Sequence, residues 1–441
     1  MAGSIDKTAV VIGAGIAGIL SAAALAPLFD RVVVIERDKL PHRPEVRKGT
    51  PQSAHVHVLL DRGLAIAERF LPGTRATLLA AGAVPLRVGW DERVFDGAEW
   101  LPRREFGMTN VSQSRPVLEF ALRQCLAQHA NVEIRYETNV TAFDLNDQGA
   151  ITGVQVATPS GRQAIQTNLA VDASGRASKS VRWLEQAGFG PLEVDEVWIG
   201  MSYVSGIFKR SPRWSGDSTG WRIANRDPLR GSVVRPIEDD RWIFTTSNYF
   251  NVIAPTDLED MRAYLQTFLS PEIFECVRDG ELEGRLRVYR TPTVIVRRFD
   301  KLPRMPAGYF PVGDNIAHLN PLGGQGMSVA AVHAEILADR LSARAGNGAG
   351  LDGFAEEFVR DAVAESAAAW RIMTMRDLQN PATKGKRPEN FDEIRRIMRG
   401  IEKLAFEDAE IHHLTLKVRN MVADPGALRT PEIIERALAA A

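Results

Sequence analysis

Cysteine is almost missing from this chain: Cys125 and Cys276 are the only two in 441 residues. They stand far apart and fit no Cys-x-x-Cys spacing, which excludes a disulfide framework and a thiolate metal cluster. Two reduced, buried thiols in a cytoplasmic protein are the expectation. Net charge is equally scarce, since 54 Lys and Arg against 55 Asp and Glu leave −1. Such a balance gives no reason to expect nucleic acid or an anionic membrane surface as partner. There is no internal repeat and no low-complexity tail. Beyond one N-terminal run there is no apolar stretch long enough to span a bilayer. What remains is 45% hydrophobic and 25% charged, enough to bury roughly two or three cores as a soluble enzyme would.

The exception is Ala9–Phe29, which carries no charge over 21 residues and contains Ser21-Ala22-Ala23-Ala24-Leu25-Ala26. A secretory leader has such a region, but here Asp6 beside Lys7 replaces the basic cluster a leader needs. The run reads better as a strand (Val10-Val11-Ile12), a glycine turn (Gly13-Ala14-Gly15-Ile16-Ala17-Gly18), a small-residue helix over 16–29, and a second strand (32–35) ending in Glu36 and Arg37. This is the arrangement that grips a dinucleotide. Gly13 permits the tight turn, Gly15 lets the backbone approach a pyrophosphate, and Gly18 lets the helix lie against the strand. The helix N-terminus offers free N–H groups to the phosphates. Glu36 suits ribose hydroxyls and disfavours a 2′-phosphate, so FAD or NAD is expected rather than NADP.

Further along, residues 59–71 have helical spacing ended by Pro72-Gly73, and Arg115-Pro116 opens another helix. Strand-like segments follow at VEIRYETNVTAFDLN, GAITGVQVATPSG and LAVDAS, the last ending in Gly175. From about 197 to 299 the texture becomes alternating and β-rich, with one or two helices in DLEDMRAYLQTFLSPEIFECV. From about 327 onward it is almost wholly helical, and the glycine-rich 346–350 segment reads as a turn.

Two later segments join the first. One is Val171-Asp172-Ala173-Ser174-Gly175-Arg176-Ala177-Ser178. The other is Gly308-Tyr309-Phe310-Pro311-Val312-Gly313-Asp314, continuing through His318 to Pro321-Leu322-Gly323-Gly324-Gln325-Gly326-Met327. In this order and at these separations, the triplet resembles the FAD-dependent aromatic hydroxylase and epoxidase superfamily, the class A flavoprotein monooxygenases, over roughly residues 8–340. Pro51-Gln52-Ser53-Ala54-His55-Val56-His57-Val58-Leu59-Leu60 and the segment Arg376–Pro388 are similar to bacterial squalene-epoxidase-like natural-product epoxidases.

The resemblance implies an α/β fold: a Rossmann-type FAD-binding domain in residues 1–196, an inserted β-sheet substrate domain (197–300), a return to the FAD domain (301–345) and a helical C-terminal region (346–441). It implies bound FAD and O2 as co-substrate. One oxygen atom would pass, by way of a flavin C4a-hydroperoxide, to a lipophilic natural-product or isoprenoid-like substrate as an epoxide or hydroxyl. Arg115 would contact the cofactor phosphates and Asp314 the ribityl or ribose–phosphate linkage. The loop 321–326 would open a helix whose N–H groups face the flavin pyrimidine. No protein acid/base pair is required, because the cofactor carries the chemistry. Asp172 and Arg176 would support cofactor or loop geometry, or else simply cap a turn.

His55 and His57, as alternate residues of a strand, would share one face and lie beside the flavin or its mobile loop, or be packed there. They are the tentative catalytic candidates, and without a third ligand no metal is expected. No second strand–glycine–helix unit follows the first. Electrons would therefore come from transient NAD(P)H contact or a partner flavin reductase. No Trp-x-Trp-x-Ile-Pro segment is present, which disfavours a halogenase. An isoprenoid double-bond reductase and a non-catalytic escort for prenylated cargo compete with the monooxygenase on the same scaffold. Trp183, Trp198, Trp214, Trp221 and Trp242 are expected in core or pocket wall. The β-rich middle is expected to wall an apolar pocket or to pack its sheet against helices. Arg235, Arg287 and Arg290 are its candidates for an acidic group.

Overall fold

The computed structural model describes residues 7–224, 229–346 and 350–441. The turn expected at 346–350 lies, at 347–349, outside the described residues. β1 (Thr8–Ile12), α1 (Ile16–Leu25) and β2 (Arg31–Ile35) follow in the order the glycines demand. β1 and β2 pair in parallel from Thr8 opposite Arg31 to Ile12 opposite Ile35. Both are buried along almost their whole length, the pattern of parallel strands shielded on both faces. The sheet has five parallel strands in the order Tyr309–Pro311, Ala170–Asp172, β1, β2 and Val132–Arg135. Its central strands therefore deliver Gly13, Ala173 and Val312 to one edge. Ligands of open α/β sheets sit at that carboxyl edge. A three-stranded antiparallel sheet of Asn139–Leu145, Ile151–Thr158 and Gly161–Gln166 occupies the crossover.

The second large sheet has seven strands, in the order Ala317–His318, Glu281–Arg297, Val194–Lys209, Arg241–Asn248, Arg230–Ile237, Gly220–Ala224 and Glu92–Phe95. It is not confined to 197–300. One edge strand, Glu92–Phe95, comes from the first part of the chain and pairs in parallel with Gly220–Ala224. Four residues of mixed polarity carry no period that would announce so distant a partner.

Strand alternation splits this sheet into two unlike faces. One carries Phe95, Val204, Phe208, Trp221, Ile223, Val234, Trp242 and Phe244, closed by Met261, Leu265, Ile273, Cys276 and Val277 from the helices Leu258–Gln266 and Glu272–Asp279. Trp214, Trp221 and Trp242 meet here with ring centroids 5.4–6.3 Å apart. The aromatic alternation seen in the sequence is thus spent on packing the sheet against its helices. Cys125 and Cys276 are both free and buried.

The helices Gly326–Gly346 and Phe354–Asp377 close the core on the parallel sheet, with Phe310, Phe354 and Phe358 in ring contact. The tail forms three further helices, Phe391–Glu407, Ala409–Arg419 and Pro431–Ala440, around Leu404, Ile411 and Ala437. Asp408 interrupts what reads as one helix and caps the next, accepting from the N–H groups of Glu410 and Ile411 at 2.8 and 3.2 Å. A Cβ on Gly400 would stand 1.9 Å from the Ala437 carbonyl, so glycine alone allows this helix crossing. Among the described residues no helix is long and apolar enough to cross a membrane.

Candidate cofactor and substrate site

Three glycines of the first turn have three different environments. Gly13 has φ +98° and donates its N–H to Ile35 O at 2.7 Å; a Cβ there would lie 2.7 Å from Ala173 O. A Cβ on Gly18 would fall 1.7 Å from Gly13 O, whereas one on Gly15 would meet nothing within 4 Å. Gly13 and Gly18 are thus held by the protein itself, while Gly15 opens on empty space. That space is a cavity of about 1650 Å³ whose wall includes Gly13, Gly15, Ile16, Ala17, Glu36 and Arg37. Gly15 caps α1 without any side-chain hydrogen bond, leaving first-turn N–H groups for a ligand. A bare cradle at a helix N-terminus fits the pyrophosphate of FAD. Ala14, Gly18 and Gln325 stand behind the cavity wall rather than in it.

Glu36 is buried and already engaged. Ala14 N–H donates to one carboxylate oxygen at 2.8 Å and Asp38 N–H to the other at 2.9 Å. Arg47, which no motif flags, lies 3.2 Å from Glu36, 3.1 Å from Asp38 and 2.8 Å from Glu119. Glu119 also holds Arg115 at 2.9 Å and Arg123 at 3.5 Å. Burial alone would raise the Glu119 carboxyl, but Arg115, Arg47 and Arg123 bring it down to about 2. Arg115 lines the cavity as expected, yet its guanidinium is anchored first to Glu119. The sequence trace of this cluster is the triplet Arg115, Glu119 and Arg123, each one turn from the next.

Asp172 proves to be a turn organiser. It accepts from Ser174 N–H at 3.0 Å, the Ser174 hydroxyl at 2.5 Å, and the hydroxyls of Ser178 and Tyr309 at 2.8 Å each. Asp314 stands half-buried in the cavity wall, 3.2 Å from His318 Nδ1. Burial pushes its carboxyl up, and hydrogen bonding and charge from His318, with the charges of Arg115 and Arg176, more than reverse this. His318 Nε2 is 2.7 Å from the Thr291 hydroxyl, and Arg297 donates to the carbonyls of Asp314 and Asn315 at 3.3 and 2.7 Å. Gly323, Gly324, Gly326 and Met327 line the same cavity, with Gly324 at φ +70° before the helix Gly326–Gly346. Asn320 shapes this loop, accepting from Leu322 N–H at 3.0 Å and donating to both Asp377 oxygens at 2.9 Å. Tyr249 donates its hydroxyl to Asp377 at 2.8 Å. Burial raises the Asp377 carboxyl to about 6.

His55 and His57 do not share a strand face. They follow the 3-10 turn Pro51–Ala54 on an extended loop with no ladder partner, and their rings diverge. His55 reaches the second sheet, with Nδ1 2.7 Å from the Ser205 hydroxyl and its ring beside Tyr203 and Tyr289. His57 bonds the His55 carbonyl at 2.9 Å and feels the charge of Arg115. Burial lowers His55 to about 4; burial first and Arg115 second lower His57 to about 3. Among the described residues no group of three or more His, Cys, Asp or Glu is placed to hold a metal.

The cavity continues from the cradle to the second sheet, whose facing side carries Glu92, Arg222, Arg235, Thr245, Tyr203 and Tyr289. The register puts Trp221 and Trp242 in the core on the opposite face, although Trp221 also borders the cavity, and Val94 and Val233 stand among the polar groups of the pocket side. Trp183 lines the cavity beside Phe143 and Tyr309, and Trp198 stacks on Phe250. Of the arginines expected here, Arg235 is in the wall and Arg287 and Arg290 are not. The C-terminal segments contribute Arg376, Asp377, Asn380, Phe406 and Arg419, so the tail roofs the cavity.

Protein Rv3254 of Mycobacterium tuberculosis (strain ATCC 25618 / H37Rv) is 32% identical to this chain over 384 residues, 84% of this chain and 80% of that protein. The probable FAD-dependent monooxygenase PqsL of Pseudomonas aeruginosa has the same fold, with a TM-score of 0.67 at 20% identity over 85% of this chain and 96% of its own. The flavin-dependent brominase Bmp2 shares it too, with a TM-score of 0.66 at 16% identity over 99% of this chain and 98% of its own. The FAD binding domain family matches residues 6–370. With its glycine cradle, its carboxylate at 314 and this match over most of its length, the chain belongs to the FAD binding domain family and takes FAD as its cofactor.

Proposed function

We propose that the chain is an FAD-dependent monooxygenase, acting in the cytoplasm, that places one oxygen atom from O2 into a lipophilic small molecule of natural-product type as an epoxide or hydroxyl. The observation that carries this reading is the continuity of the cavity. Its volume of about 1650 Å³ exceeds the roughly 300–1,000 Å³ of a pocket for one ligand. It holds a dinucleotide and leaves room for a second molecule between the Pro321–Met327 loop and the second sheet. The Pro51–Leu60 segment, on which the likeness to squalene-epoxidase-like enzymes rests, borders that room, and Leu60, Leu101, Met373 and Phe406 offer it apolar surface.

When bound, and reduced by NAD(P)H or by a partner reductase's flavin, FAD would supply the chemistry that activates O2 for transfer of one oxygen atom. The first turn of α1 binds the pyrophosphate, and Asp314, fixed by His318 and Arg297, orients the cofactor's hydroxyls. The N-terminus of the helix Gly326–Gly346, whose Gly326 and Met327 line the cavity, would offer N–H groups to negative charge on a bound flavin. His55 and His57, lowered by burial to about 4 and about 3, are neutral near pH 7 and act as positioned wall rather than as general acids. Turnover of a candidate alkene or arene under 18O2 tests the reading: one labelled atom per product supports it. A saturated product without label would make the enzyme a double-bond reductase, and a halide-dependent product a halogenase.

A further inference from the structure

At the end of the cavity away from the glycine cradle, the charges do not balance. Arg222 stands opposite Val233 and Val94 in its ladders, which puts it on the sheet face of Arg235 and Glu92. Arg419, the last residue of the helix Ala409–Arg419, enters the same cavity from the roof, as does Arg376. Arg235 takes Glu92 at 2.8 Å and Arg376 takes Glu402 at 2.9 Å. Glu92 is further occupied by the Asn110 side-chain amide, which donates at 3.0 Å. Among the described residues the side chains of Arg222 and Arg419 find no hydrogen-bond or ion-pair partner, and both residues are half-buried.

Arg222 is pushed down to about 9, by Arg419 first and by burial second. Arg419 is also lowered, by burial and by Arg235 and Arg376, against the opposing pull of Glu92. Two guanidiniums in one half-buried cavity wall, with no side-chain partner among the described residues, oppose folding, and a third body of negative charge would relieve them. The planar donor forks of arginine match a carboxylate or a related oxyanion.

We infer that Arg222 and Arg419 form an anion subsite, and that the substrate is an amphiphile whose apolar body lies toward the flavin ring while its oxyanion group is held between these two side chains. This rests on the reading of the cavity as a substrate site.

The test uses the FAD-loaded full-length protein and two dyes that share a ring system and differ by one sulfonate, 8-anilinonaphthalene-1-sulfonate and N-phenyl-1-naphthylamine. The sulfonate dye is expected to bind at one site per chain, to perturb the flavin absorption bands, and to bind at least tenfold more tightly than the neutral dye. Arg222→Met and Arg419→Met should each weaken the sulfonate dye at least tenfold while leaving the neutral dye and the FAD content unchanged. Each should also raise the thermal midpoint of the dye-free protein, because one of two repelling charges is gone. Arg222→Lys and Arg419→Lys, which keep the charge, guard against a misfolded methionine variant and should retain most of the affinity. Equal affinity for the two dyes, no binding of the sulfonate dye, or unchanged binding in the variants would overturn the subsite. Loss of FAD or a lowered midpoint in both methionine variants would make the arginines structural and overturn it as well. No turnover is needed, so failure of the 18O2 experiment and failure of this one are separate results.

Discussion

At the glycine cradle, Arg47, Arg115 and Arg123 close around Glu119, while Glu36 and Asp38 complete Arg47. At the far end of the same cavity, Arg222 and Arg419 line the wall with no carboxylate bonded to either among the described residues. The first end is a finished piece of structure whose charges cancel before any ligand arrives. The second keeps an excess of positive charge, which we infer a ligand's oxyanion group would balance. A buried charge is informative about function when its neutralisation is missing, not merely because it is buried.

The largest effect should come from the cradle. Gly15→Val is expected to abolish FAD retention in a chain that still folds, because the new side chain enters only the cavity. Gly18→Val should instead prevent folding, since its Cβ has nowhere to go. Flavin absorbance and far-UV circular dichroism of the two purified variants separate these outcomes. A flavin-bound Gly15→Val protein would move the phosphate site elsewhere.

Next is the balanced cluster. Glu119→Gln leaves three guanidiniums without their shared carboxylate and should lower stability by about 3–5 kcal/mol, read by urea denaturation at pH 7. Its sign is opposite to that expected of Arg222→Met, which makes the pair a direct test of the contrast between the two ends. Because the folded carboxyl lies near 2 against an ordinary 4.5, this stabilisation is present above about pH 4.5 and fades as the pH falls toward 2. The gap between variant and wild type should close over the same window.

The smallest effect is at the cofactor's middle. Asp314→Ala should weaken FAD by about 10- to 100-fold, the equivalent of about 1–3 kcal/mol for a lost hydrogen bond to a charged group, measured by titrating the apoprotein with FAD. Wild-type affinity would reduce Asp314 to a turn residue.

The cradle is legible in the sequence because the need for a bare backbone writes itself into adjacent positions: a turn, a close approach and a helix contact require glycine at 13, 15 and 18. Asp314 and the 323–327 loop are legible for the same reason, being local in the chain. Arg47 is not, since its partners Glu36, Asp38 and Glu119 meet only after folding. The second sheet is legible as strands with two helices, yet its pocket face is not. Hydrophobic alternation says that a sheet has two faces; it does not say which face meets helices and which meets a ligand. The strand Glu92–Phe95 and the reach of Arg419 are invisible because both depend on contacts across most of the chain. His55 and His57 fail as a same-face pair because a separation of two residues implies one face only in a strand.

The strands Val194–Lys209 and Glu281–Arg297 run side by side for nearly their full lengths. Their Phe208 and Leu286 belong to the core under the two small helices, while Val197 and Val294 pack with Leu378 at the end nearer the cavity roof. Two rigid beams thus cross from one hydrophobic core to another, and neither core can melt without fraying the ladder that supports the other. Heat should accordingly take the regions around the two large sheets apart in one cooperative transition, with a calorimetric enthalpy equal to the van't Hoff value.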